Sequence, residues 1–159
     1  MIVHFPIALL IVGFLSDFVG LVAKREFLSK VGFYLLILGA VGIVAAYLSG
    51  DAAGEGLAEG GALKYALETH ENAALLTVWL VGATALARIA MVVTKKFNGA
   101  LRWIPVLMFL AGVLSLARTG HYGGQLVFNH AAGVQLSLGD ALEPGPDPQA
   151  MEKNETEKE

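Results

Sequence analysis

Four histidines, His4, His70, His121 and His130, are the side chains of this chain best suited to chemistry. Imidazole is a neutral ligand for haem iron, zinc and copper. With no cysteine present, thiolate metal sites, iron–sulfur clusters, disulfides and covalent c-type haem attachment are excluded. A non-covalent haem b needs two histidines on facing helices, an apolar slot, and cations for its propionates. The four histidines are the candidate ligands, and Arg118 is the candidate propionate partner. Ala8, Gly13, Ala73, Ala74 and Gly112 could leave room for the ring, and Phe5, Tyr122 and Phe128 could close the slot. Zinc or copper would instead gather three or four ligands at one point, with Glu68 or Glu71 joining His4, His70 and His130. In a third reading no cofactor is bound, and the histidines simply suit a membrane interface. His70-Glu71 opens like a zinc-protease HExxH, but Ala74 stands where the second histidine belongs, so that reading fails. No nucleophile and base stand together. An electron carrier or an accessory subunit is therefore expected rather than an enzyme with its own substrate pocket.

Two further charges, Asp17 and Arg88, fall inside apolar stretches. Ionisable groups within a span are costly and usually pair. Each stands seven residues before a basic boundary, Lys24 or Lys95, so both lie about 10 Å inside it. The spacing predicts an intramembrane Asp17–Arg88 ion pair. A structural clamp, two snorkelling side chains, and a proton or anion path are the competing meanings.

The elements that must hold these groups follow from composition. The 159 residues are 55% hydrophobic and only 16% charged, with a mean hydropathy of +0.62. A soluble globule usually carries about 25% charge, so this is a membrane composition. The net charge of −3 is a tail effect, since residues 140–159 hold seven acidic and two basic side chains. The body is mildly basic, and no stripe points to nucleic acid.

Four apolar stretches run from Met1 to Ala23, from Val31 to Ser49, from about Asn72 to Thr94, and from Trp103 past Arg118 to Phe128. About 20 apolar residues span a bilayer core, and backbone in lipid must satisfy itself within helices. The fold class is therefore all-α, an integral membrane four-helix transmembrane bundle over residues 1–138. Residues 139–159, proline-rich and then charged, are expected to form a disordered acidic tail. The first stretch is a retained anchor rather than a signal peptide, because Lys24 and Arg25 follow it instead of preceding it.

Lys24, Arg25 and Lys30 lie on the same side as Lys95, Lys96 and Arg102, opposite both termini. By the positive-inside rule that side is cytoplasmic, and both termini lie outside the cytoplasmic (inner) membrane. Counted from the basic side, His4 and His121 stand about 30 and 27 Å up, and His70 and His130 about 37 and 40 Å, if the helices are straight. Gly42, Ala46 and Gly50 form a small-residue stripe expected to pack inside the bundle. The glycine-rich 50–61 segment ends the second helix before another starts near Leu63. Gly123-Gly124 is expected to turn the chain, so that residues 125–138 fold across the outer face as a lid.

The segments His4-Phe5-Pro6-Ile7-Ala8-Leu9 and Gly123-Gly124-Gln125-Leu126-Val127-Phe128-Asn129-His130 resemble the membrane family known as domain of unknown function 2231. Those proteins open with a VHFPIAL-like motif, carry a histidine near the start of the third span, and end on GGxLVxxHGxGV. The resemblance covers residues 2 to about 136, and His4, His70 and His130 match the family positions, whereas His121 does not. Ala131 replaces the glycine after the last histidine. Family members typically carry a His-Pro just before the HFP motif, and the resemblance leaves open whether the true start lies upstream of Met1. The family's activity is not established. Its histidines, and relatives joined to redox modules, imply electron transfer between quinol or a membrane partner and a periplasmic acceptor.

Overall fold

The computed structural model describes residues 3–54, 61–94 and 99–130. The tail at 139–159, the outer part of the expected lid, and the centre of the glycine-rich loop lie outside the described residues. Four helices account for nearly all the rest: α1 (His4–Val22), α2 (Glu26–Gly54), α3 (Gly61–Val93) and α4 (Trp103–His130). A single 3-10 turn, Gly99–Arg102, leads into α4, and no strand occurs among the described residues. All four helices are long and apolar enough to cross a membrane. At 1.5 Å per residue, the 33 residues of α3 reach about 50 Å, well beyond a hydrocarbon core of about 30 Å.

The bundle is polar within and apolar without. Leu10, Leu36, Val81 and Phe109 form the core, but Asp17, Thr77, Thr84, Arg88 and Ser115 are buried beside them. Large apolar side chains point outward instead, with Phe27, Tyr65, Trp79 and Phe128 each more than two-thirds exposed. A surface of this kind is stable only against lipid.

Helices α1 and α2 form one close hairpin, and α3 and α4 the other. The first hairpin turns on Lys24, whose φ of 53° is left-handed. Arg25 N–H donates to Gly20 O at 2.8 Å and Lys24 N–H to Leu21 O at 3.4 Å, the paired bonds of a Schellman cap. The close approach depends on glycine. A Cβ on Gly32 would stand 2.6 Å from Asp17 Cβ and 2.8 Å from the Asp17 backbone nitrogen. A Cβ on Gly39 would meet Leu10 at 2.7 Å, and one on Gly42 would meet Pro6 at 2.9 Å.

The expected stripe of Gly42, Ala46 and Gly50 is therefore corrected to Gly32, Gly39 and Gly42, since nothing lies within 4 Å of a Cβ on Gly50. Gly42 already faces Pro6, the third residue of α1, so Gly50, eight residues or about 12 Å further along α2, lies past the start of that helix.

Two boundaries differ from expectation. Helix α2 continues to Gly54 and α3 begins at Gly61, so both extend into the segment read as loop. Helix α4 runs unbroken through Gly120, Gly123 and Gly124 to His130, so the inner part of the expected lid is helix. Gly123 serves packing rather than turning, because the ring of His70 occupies the space its side chain would fill.

Candidate functional site

The inward face of α3 reads His70, Ala73, Thr77, Val81, Thr84 and Arg88, in steps of three, four or seven. Of these, Ala73, Thr77, Val81, Thr84 and Arg88 are buried, while His70 is half-buried near the terminal end of the bundle. Each end of this face carries a polar site.

At the end near the α1–α2 turn, Arg88 Nη2 donates to Asp17 Oδ1 at 2.7 Å, and both side chains are almost wholly buried. Ser29 completes the cluster. Its hydroxyl donates to Asp17 Oδ1 at 2.7 Å and accepts from Arg88 Nη2 at 2.8 Å. Arg88 Nη2 also lies 3.3 Å from the Ser29 carbonyl. Asp17 on α1, Ser29 at the start of α2 and Arg88 on α3 thus tie three helices together at one point. The sequence reading placed the charges at matching depth but missed Ser29. The signal for it was the tight turn, which brings residue 29 back beside residue 17.

Toward the terminal end, hydroxyls join α3 to α4. Thr77 Oγ1 lies 2.8 Å from Ser115 Oγ and 2.9 Å from Thr119 Oγ1. Thr77 and Thr119 also bond the carbonyls four residues before them, Ala73 O and Ser115 O. Such hydroxyls hold helices together in lipid, each bond contributing about 1 kcal/mol. Sequence analysis passed over these residues, although Thr77 and Thr84 stand seven apart and Ser115 and Thr119 four apart, each pair on one helical face.

The network reaches His70 through Thr119. His70 Nδ1 lies 3.1 Å from Thr119 O. A carbonyl oxygen only accepts, so Nδ1 is the donor in this contact, which leaves Nε2 as the nitrogen able to ligate. That is the arrangement in which histidine ligates metals, with one nitrogen fixed by a carbonyl and the other available. The ring's opposite wall is Gly123, where a Cβ would approach Cε1 to 3.1 Å. His70 lines a cleft of about 150 Å³ to which all four helices contribute, including Pro6, Tyr47, Asp51, Glu71 and Thr119.

The other candidates lie elsewhere. His4, the first residue of α1, is exposed. His121 is exposed as well, and its Nε2 accepts from Gln125 Nε2 at 3.1 Å, which engages the lone pair a metal would need. Arg118 is also exposed, and its guanidinium lies over Tyr122, 5.4 Å from the ring centroid. Glu68 is exposed, while Glu71 faces the cleft with His70. His130 ends α4, seven residues or about 10 Å beyond Gly123 along the helix, and its side chain lies outside the described residues. Among the described residues no three of His, Cys, Asp and Glu gather closely enough to hold a metal ion.

Four membrane-length helices around an apolar core that also buries the Asp17–Arg88 ion pair define a small integral membrane bundle. The chain belongs to the family DUF2231, described as a predicted membrane protein, whose model matches residues 1–136. No curated protein and no solved structure gives a significant match.

Proposed function

We propose that this membrane protein is a b-type cytochrome-like electron carrier with a histidine-ligated cofactor at the terminal end of its bundle. The observation that supports this is the contact of His70 Nδ1 with Thr119 O at 3.1 Å. Thr119 O accepts from Nδ1, which leaves Nε2 as a ligand at the rim of a four-helix cleft. The basic Lys24, Arg25 and Lys30 favour a cytoplasmic position for the turn end, which puts His70 near the outer face of the inner membrane.

For haem b, His70 suits one axial position, and the described residues do not supply a second. His130 of the family's closing motif is the residue to test for it. The cleft itself is smaller than the roughly 300–1,000 Å³ pockets that enclose drug-sized ligands, so a macrocycle does not fit inside it as it stands. A bound haem would supply one-electron chemistry. The chain's own contribution is to orient His70 through Thr119 and to keep the bundle interior closed below it.

A second reading, a divalent zinc or copper site, would draw on Glu71 and Asp51, which line the same cleft as His70 but do not stand close enough to it to form a ready-made ligand set. An optical spectrum of protein purified after expression with ample haem separates the two. A Soret band with sharp reduced α and β bands supports the haem reading. A flat visible spectrum overturns it, and metal analysis of the same sample then distinguishes a metal site from a cofactor-free accessory subunit.

A further inference from the structure

At the opposite end of the bundle, below the ion pair, lies a larger cavity of about 330 Å³. Its charged lining is Lys24, Lys30, Arg88 and Arg102, against a single carboxylate, Glu26. Arg88 is balanced by Asp17, so the remaining lining still carries a surplus of two positive charges. These cations come from the α1–α2 turn, the first turns of α2, the inner face of α3 and the 3-10 turn before α4, so they converge from separate parts of the chain. An anion seated in the cavity would be drawn by Lys24, Lys30 and Arg102 together. Ser29, which bridges Asp17 and Arg88, also borders the cavity and offers a hydroxyl beside the cations.

The rest of the wall is apolar, with Leu21, Phe33, Tyr34 and Val92. The cavity thus pairs a cationic pole with an apolar flank, at the level where a membrane protein's charged boundary meets lipid. Basic pockets between spans on the positively charged side suit phosphorylated head groups, with geometry supplied by arginine and point charges by lysine.

We propose that this cavity is a binding site for a phosphate-bearing anion, held by Lys24, Lys30 and Arg102 below the Asp17–Ser29–Arg88 cluster. The phosphate source that would use the whole cavity is a phospholipid, whose acyl chain would lie along Phe33, Tyr34 and Val92. Inorganic phosphate would use the cationic pole alone. The site is independent of whether any cofactor binds at His70.

The test uses the full chain in nanodiscs of phosphatidylcholine containing a minor fraction of phosphatidylglycerol. Lipid retained through release into the gas phase is counted by native mass spectrometry, and inorganic phosphate binding is measured separately in a neutral detergent. Lys30→Gln and Arg102→Gln are compared with Arg25→Gln, which removes an exposed cation from the same turn but does not border the cavity. The expected result is one preferentially retained phosphatidylglycerol per chain, reduced at least fivefold in Lys30→Gln and Arg102→Gln and unchanged in Arg25→Gln. Phosphate binding with the same variant pattern, without lipid retention, supports the site with the free ion as its ligand. Neither ligand binding, or an equal loss in Arg25→Gln, overturns the proposal, because surface charge attraction would then account for everything.

Discussion

His70 and Arg88 stand on the same inward face of α3, eighteen residues and about five helical turns apart. That separation is about 27 Å, close to the thickness of the hydrocarbon core, so α3 carries one polar site near each boundary. Between them run Thr77 and Thr84, both buried. The inward face of the helix thus alternates polar groups with the buried Ala73, Val81 and Ala85, while large apolar side chains such as Trp79 and Leu86 point outward.

The Asp17–Ser29–Arg88 cluster should matter most for stability. Asp17→Leu or Arg88→Met alone removes one side of the buried ion pair, and each should destabilise the bundle by about 3–5 kcal/mol. Combining Asp17→Leu with Arg88→Met should recover much of that loss. Thermal unfolding of the three variants in one detergent checks the non-additivity, and additive losses would contradict it.

Ser29→Ala should have a smaller effect, about 1–3 kcal/mol, because the charges remain paired while the hydroxyl bridging them is lost. The same unfolding measurement places it between the wild type and the single charge variants.

Glycine substitutions should separate by position. Gly32→Ala brings a Cβ within 2.8 Å of Asp17 backbone, which cannot yield without moving α1 away from α2. Gly82→Ala meets nothing within 4 Å and should be neutral or stabilising by up to about 1 kcal/mol through helix propensity. Melting temperatures of the two variants give the comparison.

The four spans and the two charges at matching depth were legible because hydropathy and an intramembrane charge are large signals in single residues. The glycine seam was placed too far along α2 because the sequence does not show where α1 ends against it, and Gly42 already faces Pro6 near the start of α1. Gly123 was misread as a turn because glycine permits both a bend and a close approach, and only the position of His70 decides which. The unequal roles of the histidines were not visible at all. They depend on Thr119 O and Gln125 Nε2, which come near His70 and His121 only in the folded bundle or on the helix surface.

The orientation expected from the basic turn can be read by cysteine labelling, since the chain has no cysteine of its own. Arg25→Cys should react with an impermeant maleimide only after the cells are opened, whereas Lys64→Cys, exposed near the start of α3, should react in intact cells. The opposite pattern would invert the topology and place His70 at the inner face.

Gly123→Ala tests the wall behind His70. The new methyl would press on Cε1, so the ring must shift by a few tenths of an ångström. Stability should change by less than about 1.5 kcal/mol, the size of a mild overpacking strain. The imidazole nitrogen resonances of His70 should move, while those of His121 should not. Unmoved His70 signals would show that the ring does not rest on Gly123.

The most direct test of the functional account is the haem and metal content per chain of the wild-type protein and of His70→Ala, purified in parallel from haem-supplemented cells, with thermal unfolding measured on both. The account predicts close to one haem per wild-type chain, lost in His70→Ala while the bundle remains folded. Metal in place of haem with the same His70 dependence would replace the cytochrome reading with the metal one. A folded wild-type protein carrying neither, or a cofactor that survives His70→Ala undiminished, would contradict a ligand role for His70.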